Sequence, residues 1–301
     1  MNNCWLAIRR RLIFGTFALA RRLEGPTAKV ESVVVSPNRK TVTALMRSGL
    51  TTWRLSDGKR VDSVSYGEKF KSRRTTPTLV LSPDGKWMAT ISGEKIQLRD
   101  ARTTETIREI TIKPSPNSKV HFSRDARRLA SAASYSIGVW STETGKPIDS
   151  IQVARIALVD EFSPDGKVLS FHQMDDETRK LTAWLWQPGS GKKPVRIGRL
   201  GERLWAVCFS ADGKTAVVGG DQSLCFWDVA TNKLTRAIDE VGARDVFLSP
   251  SGLNIATKRI NCPRVRVWDY ASGKELHASR PSHRTNFAAE FARERWSYHQ
   301  W

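Results

Sequence analysis

The chain has 301 residues, of which 40% are hydrophobic, and a formal net charge of +19. This length can bury a large core, and the basic charge makes an acidic partner plausible, whether protein, nucleic acid or anionic lipid. Four cysteines form no C-x-x-C pair, which argues against a zinc site and suits a reducing compartment. No apolar run is long enough to cross a membrane.

Residues 1–25 allow two interpretations. Arg9–Arg11 precede the short apolar run Leu12–Ala20, whose last three residues resemble a cleavage site, and this is the pattern of a secretory signal. Arg21 and Arg22 follow the run directly, which argues against a signal. We therefore expect a cytoplasmic protein, with export as the alternative if residues 1–20 are a signal peptide.

Beyond residue 25, a Ser at the end of an apolar segment recurs six times, and a position that is usually Trp follows at a nearly fixed distance. The serines are Ser36, Ser82, Ser123, Ser163, Ser210 and Ser249. The partner positions, called here the Trp frame, are Trp53, Arg99, Trp140, Trp186, Trp227 and Trp268. Self-similarity with a period of about 40–46 residues predicts a repeat architecture of four-stranded propeller blades.

The segment Trp205–Thr235 shows one repeat most clearly. Val207 and Phe209 lie in an apolar strand, which ends at the turn Ser210–Lys214. Two further strands and two further turns follow, so that four short antiparallel strands make one blade. The fold class predicted for the chain is therefore all-β, a β-propeller of four-stranded antiparallel blades.

Two segments end in the Trp-Asp pair, namely Phe226–Asp228 and Val267–Asp269. With these motifs the chain resembles the WD-repeat β-propeller family over roughly residues 26–280. The resemblance implies a scaffold for protein–protein interaction, and it makes Asp228 and Asp269 structural positions of the repeat, together with the Trp frame. The Gly-His pair that often precedes the first strand in this family is missing, because Gly25-Pro26 stands there. We expect a weaker internal hydrogen-bond network as a result.

The repeats divide the chain into three segments. Residues 26–280 hold six repeats, residues 1–25 align with the last strands of another, and residues 281–301 resemble the beginning of one. We favour seven blades, with the seventh assembled from both termini, because a closed ring leaves no unpaired strand edges. Six blades with degenerate ends are the alternative.

A search for catalytic motifs finds no H-E-x-x-H, no G-x-S-x-G and no phosphate-binding loop. His172 precedes the acidic loop Asp175–Glu177, which could bind a metal, but a solvated insertion is the favoured interpretation. We expect no catalytic residue, no metal and no cofactor. A propeller dehydrogenase resembling the quinoproteins is an alternative, although the Trp expected shortly after the Thr144–Lys146 turn is missing.

The function expected is a non-enzymatic, monomeric scaffold that binds another protein with an acidic surface, and a nucleic-acid-binding propeller is the second alternative. The candidate partner-binding loop is the segment Val64–Pro77, which mixes aromatic and basic groups. Its candidate residues are Tyr66, Lys69, Phe70, Lys71, Arg73 and Arg74. Within the Trp frame, Arg99 is expected to expose its guanidinium and to leave its blade less well packed.

Overall fold

The structure is a computed structural model, which describes residues 23, 30–36, 38–46, 48–65, 78–92, 94–112, 118–133, 135–153, 157–239, 241–249, 251–259 and 264–278. These residues form 24 β-strands and no helix. The predicted all-β fold class is confirmed. Among the described residues, therefore, no helix is present that could cross a membrane.

The strands form six four-stranded sheets, each made of consecutive strands that pair with their neighbours in sequence. The first sheet contains β1 (Val30–Val35), β2 (Thr41–Met46), β3 (Gly49–Arg54) and β4 (Arg60–Ser65). The second contains β5 (Leu79–Leu81), β6 (Trp87–Ser92), β7 (Lys95–Asp100) and β8 (Thr106–Thr111). The third contains β9 (Val120–Phe122), β10 (Arg128–Ala132), β11 (Ser136–Ser141) and β12 (Pro147–Gln152).

The remaining three sheets repeat this plan. The fourth contains β13 (Ala157–Phe162), β14 (Leu169–Met174), β15 (Leu181–Trp186) and β16 (Val195–Ile197). The fifth contains β17 (Leu204–Phe209), β18 (Thr215–Gly220), β19 (Ser223–Asp228) and β20 (Lys233–Asp239). The sixth contains β21 (Asp245–Leu248), β22 (Asn254–Lys258), β23 (Val265–Asp269) and β24 (Glu275–Ala278). Each sheet is an antiparallel meander, which is the form of a propeller blade.

The chain divides into two compact units. One contains residues 1–133 and 140–147, the other residues 134–139 and 148–301, so the boundary runs through the third sheet. In each unit the apolar cores lie between consecutive sheets. Leu98 of the second sheet and Leu129 of the third share one cluster, and Phe226 of the fifth and Trp268 of the sixth share another. Burial of these faces drives the stacking of one sheet on the next.

The turn after each Ser has the same geometry in every repeat. In the fifth sheet the Ser210 hydroxyl donates to Oδ1 of Asp212 at 2.6 Å and accepts a hydrogen bond from the Thr215 backbone N–H at 2.9 Å. Where Gly213 adopts a φ of 72° in this turn, the first and third turns have Arg39 and Ala126 at 55° and 59°. Hydrogen bonds from Ser36 to Asn38 in the first turn and from Ser123 to Asp125 in the third hold these turns where the glycine is missing.

The seventh blade expected from both termini involves residues outside the described ranges. Its strands were predicted between Leu12 and Glu24 and around Phe287 and Phe291. Of the first of these segments only Leu23 is described, where it packs against a cluster that contains Val42 and Trp53. The six blades are thus observed, and the seventh remains a prediction.

Candidate partner-binding surface

Strand register places the Trp frame at one equivalent position in the sheets. Each Trp-frame residue lies on the third strand of its sheet, and in five sheets it pairs with the residue six positions after the repeat Ser on the second strand. The pairs are Val42 with Trp53, Met88 with Arg99, Leu169 with Trp186, Ala216 with Trp227 and Ile255 with Trp268. Arg99 thus occupies a Trp position, and the insertion before Trp186 leaves the register intact.

Arg99 is buried, with only 4% of its surface exposed, so the expectation that it exposes its guanidinium is wrong. Its Nη1 donates a 2.8 Å hydrogen bond to the backbone carbonyl of Thr104, and its Nη2 donates one of the same length to Oε1 of Gln97. These two hydrogen bonds give partners to Nη1 and Nη2, which matters because burial of a guanidinium without hydrogen-bond partners is energetically costly.

The candidate partner-binding loop was predicted from Val64, but Val64 and Ser65 form the end of β4. The rest of it lies outside the described residues, since the described chain resumes at Thr78. Its candidate residues Tyr66, Lys69, Phe70, Lys71, Arg73 and Arg74 all fall in this interval. The loop therefore stays a prediction.

A second basic and aromatic surface, which sequence reasoning missed, lies where the fifth and sixth sheets meet. The indole ring of Trp205 on β17 has the guanidinium carbon of Arg203 5.3 Å from its centroid and that of Arg244 5.7 Å away. Its Nε1 donates a 2.6 Å hydrogen bond to Oδ1 of Asp221. We call these four residues, with the neighbouring Arg259, the Trp205 platform.

Backbone hydrogen bonds hold the segments that carry the Trp205 platform. The Asp221 N–H donates to the Arg203 carbonyl at 3.0 Å, and the Arg244 N–H donates to the Lys258 carbonyl at 2.8 Å. Gly242 lets the two segments approach closely, because a Cβ there would lie 2.9 Å from the Asp221 carbonyl oxygen and 2.8 Å from Nε of Arg259. The platform is therefore built on fixed backbone rather than on a free loop.

The charge of the Trp205 platform is unbalanced. Arg203, Arg244 and Arg259 are all exposed. Within the part of the chain that the structure describes, no acidic side chain forms an ion pair with any of the three. Asp221 is exposed as well, but one of its oxygens is engaged by the indole of Trp205. The platform therefore carries three guanidinium groups against one exposed carboxylate, and its charge is net positive.

Beneath the platform, Glu202 joins the loop before β17 to the start of β19. Glu202 is 8% exposed, and both carboxylate oxygens lie within hydrogen-bond distance of the Ser223 hydroxyl, at 3.0 and 2.9 Å. The Ser223 hydroxyl also lies 3.3 Å from Sγ of Cys225, and burial raises the pKa of this thiol. This arrangement fixes the loop that carries Arg203.

Glu161 on β13 links the fourth sheet to the fifth. Its Oε1 accepts a 2.9 Å hydrogen bond from the backbone N–H of Phe209 on β17. Burial raises the pKa of Glu161 to about 7, the Phe209 N–H opposes the rise, and the charge of Asp160 adds to it. Burial, with Glu161 nearby, also raises the pKa of the Cys208 thiol. A carboxyl group that titrates near neutral pH thus lies at a contact between two sheets.

His172 lies on β14, and its ring contacts Asp160 of the neighbouring strand β13. Its ring is 2% exposed, and its Nδ1 lies 2.7 Å from Oδ2 of Asp160. Asp175 instead accepts hydrogen bonds from the Thr178 N–H and hydroxyl, both at 2.8 Å, as part of a tight turn. Among the described residues no group of His, Cys, Asp and Glu side chains could hold a metal ion.

A recurring contact joins the outer strand of a sheet to the next sheet within each unit. Oδ2 of Asp149 on β12 accepts a 2.8 Å hydrogen bond from the Gly189 N–H. The equivalent Asp62 on β4 accepts one from the Thr104 hydroxyl, and the equivalent Arg236 on β20 donates to the carbonyls of Tyr270 and Ala271. Each of these side chains lies nine residues after its Trp-frame residue and reaches the last turn of the following sheet.

Six consecutive four-stranded meanders define a repeat protein of the β-propeller class. A family model described as "WD domain, G-beta repeat" matches residues 193–228, a range that contains the turn Ser210–Lys214 and the Trp227-Asp228 pair. The match and the six sheets together fit the WD-repeat β-propeller family. Proteins with such repeats are generally non-enzymatic scaffolds. No curated protein sequence is significantly similar to this chain.

Proposed function

We propose that the protein is a non-enzymatic scaffold, and that it binds a partner protein through an acidic surface of that partner. The WD-type repeats support the scaffold role, because proteins with these repeats commonly bind other proteins. The acidic character of the partner follows from the excess of basic over acidic side chains and from the internal hydrogen bonds of the acidic ones. That use of charge is the observation on which the proposal rests.

The acidic side chains of the turns are engaged internally. Hydrogen bonds from the Ser210 hydroxyl and the Lys214 backbone N–H lower the pKa of Asp212, and the equivalent bonds from Thr231 lower that of Asp228. In two equivalent turns the lysine reaches solvent while it stays near the turn aspartate. Lys86 is 77% exposed with Nζ 3.9 Å from Asp84, and Lys167 is 66% exposed with Nζ 3.8 Å from Asp165. The turn carboxylates are thus tied to groups within the chain, and the net charge of +19 leaves positive charge in excess for a partner.

We further propose that the binding takes place in the cytoplasm and that the free protein is monomeric. Cys208 and Cys225 are free thiols, which suits a reducing compartment. Light scattering of the purified protein tests the monomer directly.

Affinity capture on the immobilised chain tests the proposed function. At low salt we expect proteins with acidic surfaces to be retained, and we expect raised salt to release them, because exposed charge pairs are screened. Nuclease treatment before capture should leave retention unchanged. Retention that disappears with nuclease would instead favour a nucleic-acid-binding propeller.

The loop Val64–Pro77 is a proposed part of the binding surface and has its own test. Charge reversal with Arg73→Glu and Arg74→Glu should weaken capture and flatten its salt dependence. Arg39→Glu with Lys40→Glu, two basic residues of a turn in the same unit, is the matched control. Equal capture by the loop variant and the wild type would exclude this loop.

A further inference from the structure

We propose that the Trp205 platform is a binding site for a short acidic peptide segment of a partner protein. The inference rests on the proposed function, because it names the place at which an acidic partner would be held. It is carried by the geometry and charge of the described residues around the indole ring of Trp205.

Carboxylates are the ligands that match the exposed groups of the Trp205 platform. A guanidinium offers paired N–H donors that fit a carboxylate in bidentate geometry. Arg203 and Arg244 each lie within 6 Å of the same indole ring, at 5.3 and 5.7 Å, so their charges are close together and free of acidic partners in the described chain. Two nearby carboxylates on one peptide segment would neutralise both.

The arginines are held before a ligand arrives, which lowers the entropic cost of binding. The indole of Trp205 supports both guanidinium groups and is itself anchored by the bond from its Nε1 to Asp221. The backbone bond between Asp221 and Arg203 fixes the turn beside it. A positioned arginine loses less rotamer freedom on binding than a free one does, and this increases affinity.

A peptide fits the platform better than a nucleic acid does. The exposed carboxylate of Asp221 lies within the cluster and can accept a hydrogen bond from a peptide N–H, a donor that a phosphodiester group lacks. The guanidinium groups of Arg203 and Arg244 cover the Trp205 ring, so the ring is not left open for base stacking.

Fluorescence anisotropy with a labelled glutamate-rich octapeptide tests the site. The full-length chain is compared with the double variant Arg203→Gln and Arg244→Gln, since glutamine keeps a polar stem and removes the charge. The matched control is Arg124→Gln with Arg127→Gln, two exposed arginines of another turn, which removes the same charge elsewhere. A lysine-rich octapeptide and a single-stranded oligonucleotide are the comparison probes, and thermal unfolding verifies that each variant is folded.

We expect the wild type to bind the glutamate peptide, the platform variant to bind it roughly ten-fold more weakly with a flatter salt dependence, and the control to bind like the wild type. Equal loss in the control variant, or no loss in the platform variant, would overturn the site while leaving an acidic partner possible. Failure of the wild type to bind the glutamate peptide would overturn the site, whereas the proposed function would be overturned only by capture that does not depend on salt. Preference for the oligonucleotide would overturn the choice of a peptide.

Discussion

Nε1 of Trp268 donates a hydrogen bond of 2.9 Å to Oγ1 of Thr257, and both side chains are buried. Thr257 lies on the second strand of its sheet and pairs with Arg266, two residues before Trp268. Register identifies the residues equivalent to Thr257 in four other sheets as Ala44, Thr90, Phe171 and Val218. We call this the hydroxyl position, and its occupants differ from sheet to sheet.

Val218→Thr should stabilise the protein. Val218 occupies the hydroxyl position of the fifth sheet, and Nε1 of Trp227 there is buried without a hydrogen-bond partner in the described structure. A threonine hydroxyl would accept this N–H as Thr257 does, so urea denaturation should show a free energy of unfolding about 1 kcal/mol higher. Val217→Thr, at the adjacent buried valine, is the control and should be destabilising. Equal losses in the two variants would contradict the prediction.

The effects of Arg99→Trp and Thr90→Val on the free energy of unfolding should not be additive. The Thr90 hydroxyl is fully buried without a hydrogen-bond partner in the described structure, because Arg99 replaces the tryptophan of the frame. We expect Arg99→Trp to be close to neutral, since the new indole N–H gains Thr90 while the bonds to Thr104 and Gln97 are lost. A double-mutant cycle with Thr90→Val should give a coupling energy of about 1 kcal/mol. A coupling energy of zero would show that the indole does not reach Thr90.

Glu161→Gln should change how stability depends on pH. Burial raises the pKa of Glu161 from 4.5 to about 7, so between these values the folded protein binds more protons than the unfolded chain. The contribution of Glu161 to stability is therefore full below pH 4.5 and is lost as the pH rises through about 7. At high pH the wild type should be destabilised by about 3 kcal/mol relative to its acidic form.

Urea denaturation on both sides of this pH interval measures the effect. Glu161→Gln should remove most of the fall in stability between mildly acidic and mildly basic pH, and it should be more stable than the wild type at the basic end. Glu143→Gln, at an exposed turn position, is the control and should follow the wild-type profile. An unchanged profile in Glu161→Gln would mean that this carboxyl group does not titrate at the contact with Phe209.

The contact between Asp149 and the Gly189 N–H should contribute measurably to stability. Asp149→Ala removes the acceptor of this 2.8 Å bond and should lower the free energy of unfolding by about 1 kcal/mol. Asp149→Asn keeps an oxygen acceptor at the same place and should restore most of the loss. Chemical denaturation of the wild type and the two variants measures the free energies of unfolding. If the Asn variant is as unstable as the Ala variant, the negative charge of Asp149 stabilises the protein and the hydrogen bond does not.

Trp205→Phe should separate the two roles of the indole. Phenylalanine keeps an aromatic ring beneath Arg203 and Arg244 but removes the N–H that binds Asp221. We expect the affinity for the glutamate-rich peptide to fall a few-fold and the thermal stability to change little, because Trp205 is only half-buried. A variant that binds as tightly as the wild type would show that the anchor to Asp221 is dispensable.

The blades could be predicted from the sequence because their signals are local. The turn Ser210–Lys214 and the Trp frame recur along the chain, and each sheet is made of consecutive strands, so no long-range pairing had to be guessed. Even Arg99 could be placed in its frame by spacing alone. Its burial could not be predicted, because it depends on bonds to Gln97 and to the Thr104 carbonyl that only the folded turn creates.

The Trp205 platform could not be predicted from spacing. Arg203 and Trp205 belong to the strand entry of one sheet, whereas Arg244 belongs to the entry of the next, and only stacking of the sheets brings them to one indole ring. The pair of Glu161 with Phe209 has the same origin, since it links β13 to β17. The sequence did contain one indication of this surface: Trp205 is a tryptophan outside the Trp frame, and Arg203 lies two residues before it.

Competitive elution tests the central claim, an acidic partner protein, most directly. A protein captured from nuclease-treated lysate on the immobilised full-length chain is challenged with the glutamate-rich peptide and, separately, with the lysine-rich peptide at equal concentration and ionic strength. The claim predicts that the glutamate peptide releases the captured protein and that the lysine peptide does not. Release by neither peptide, or equal release by both, would contradict it.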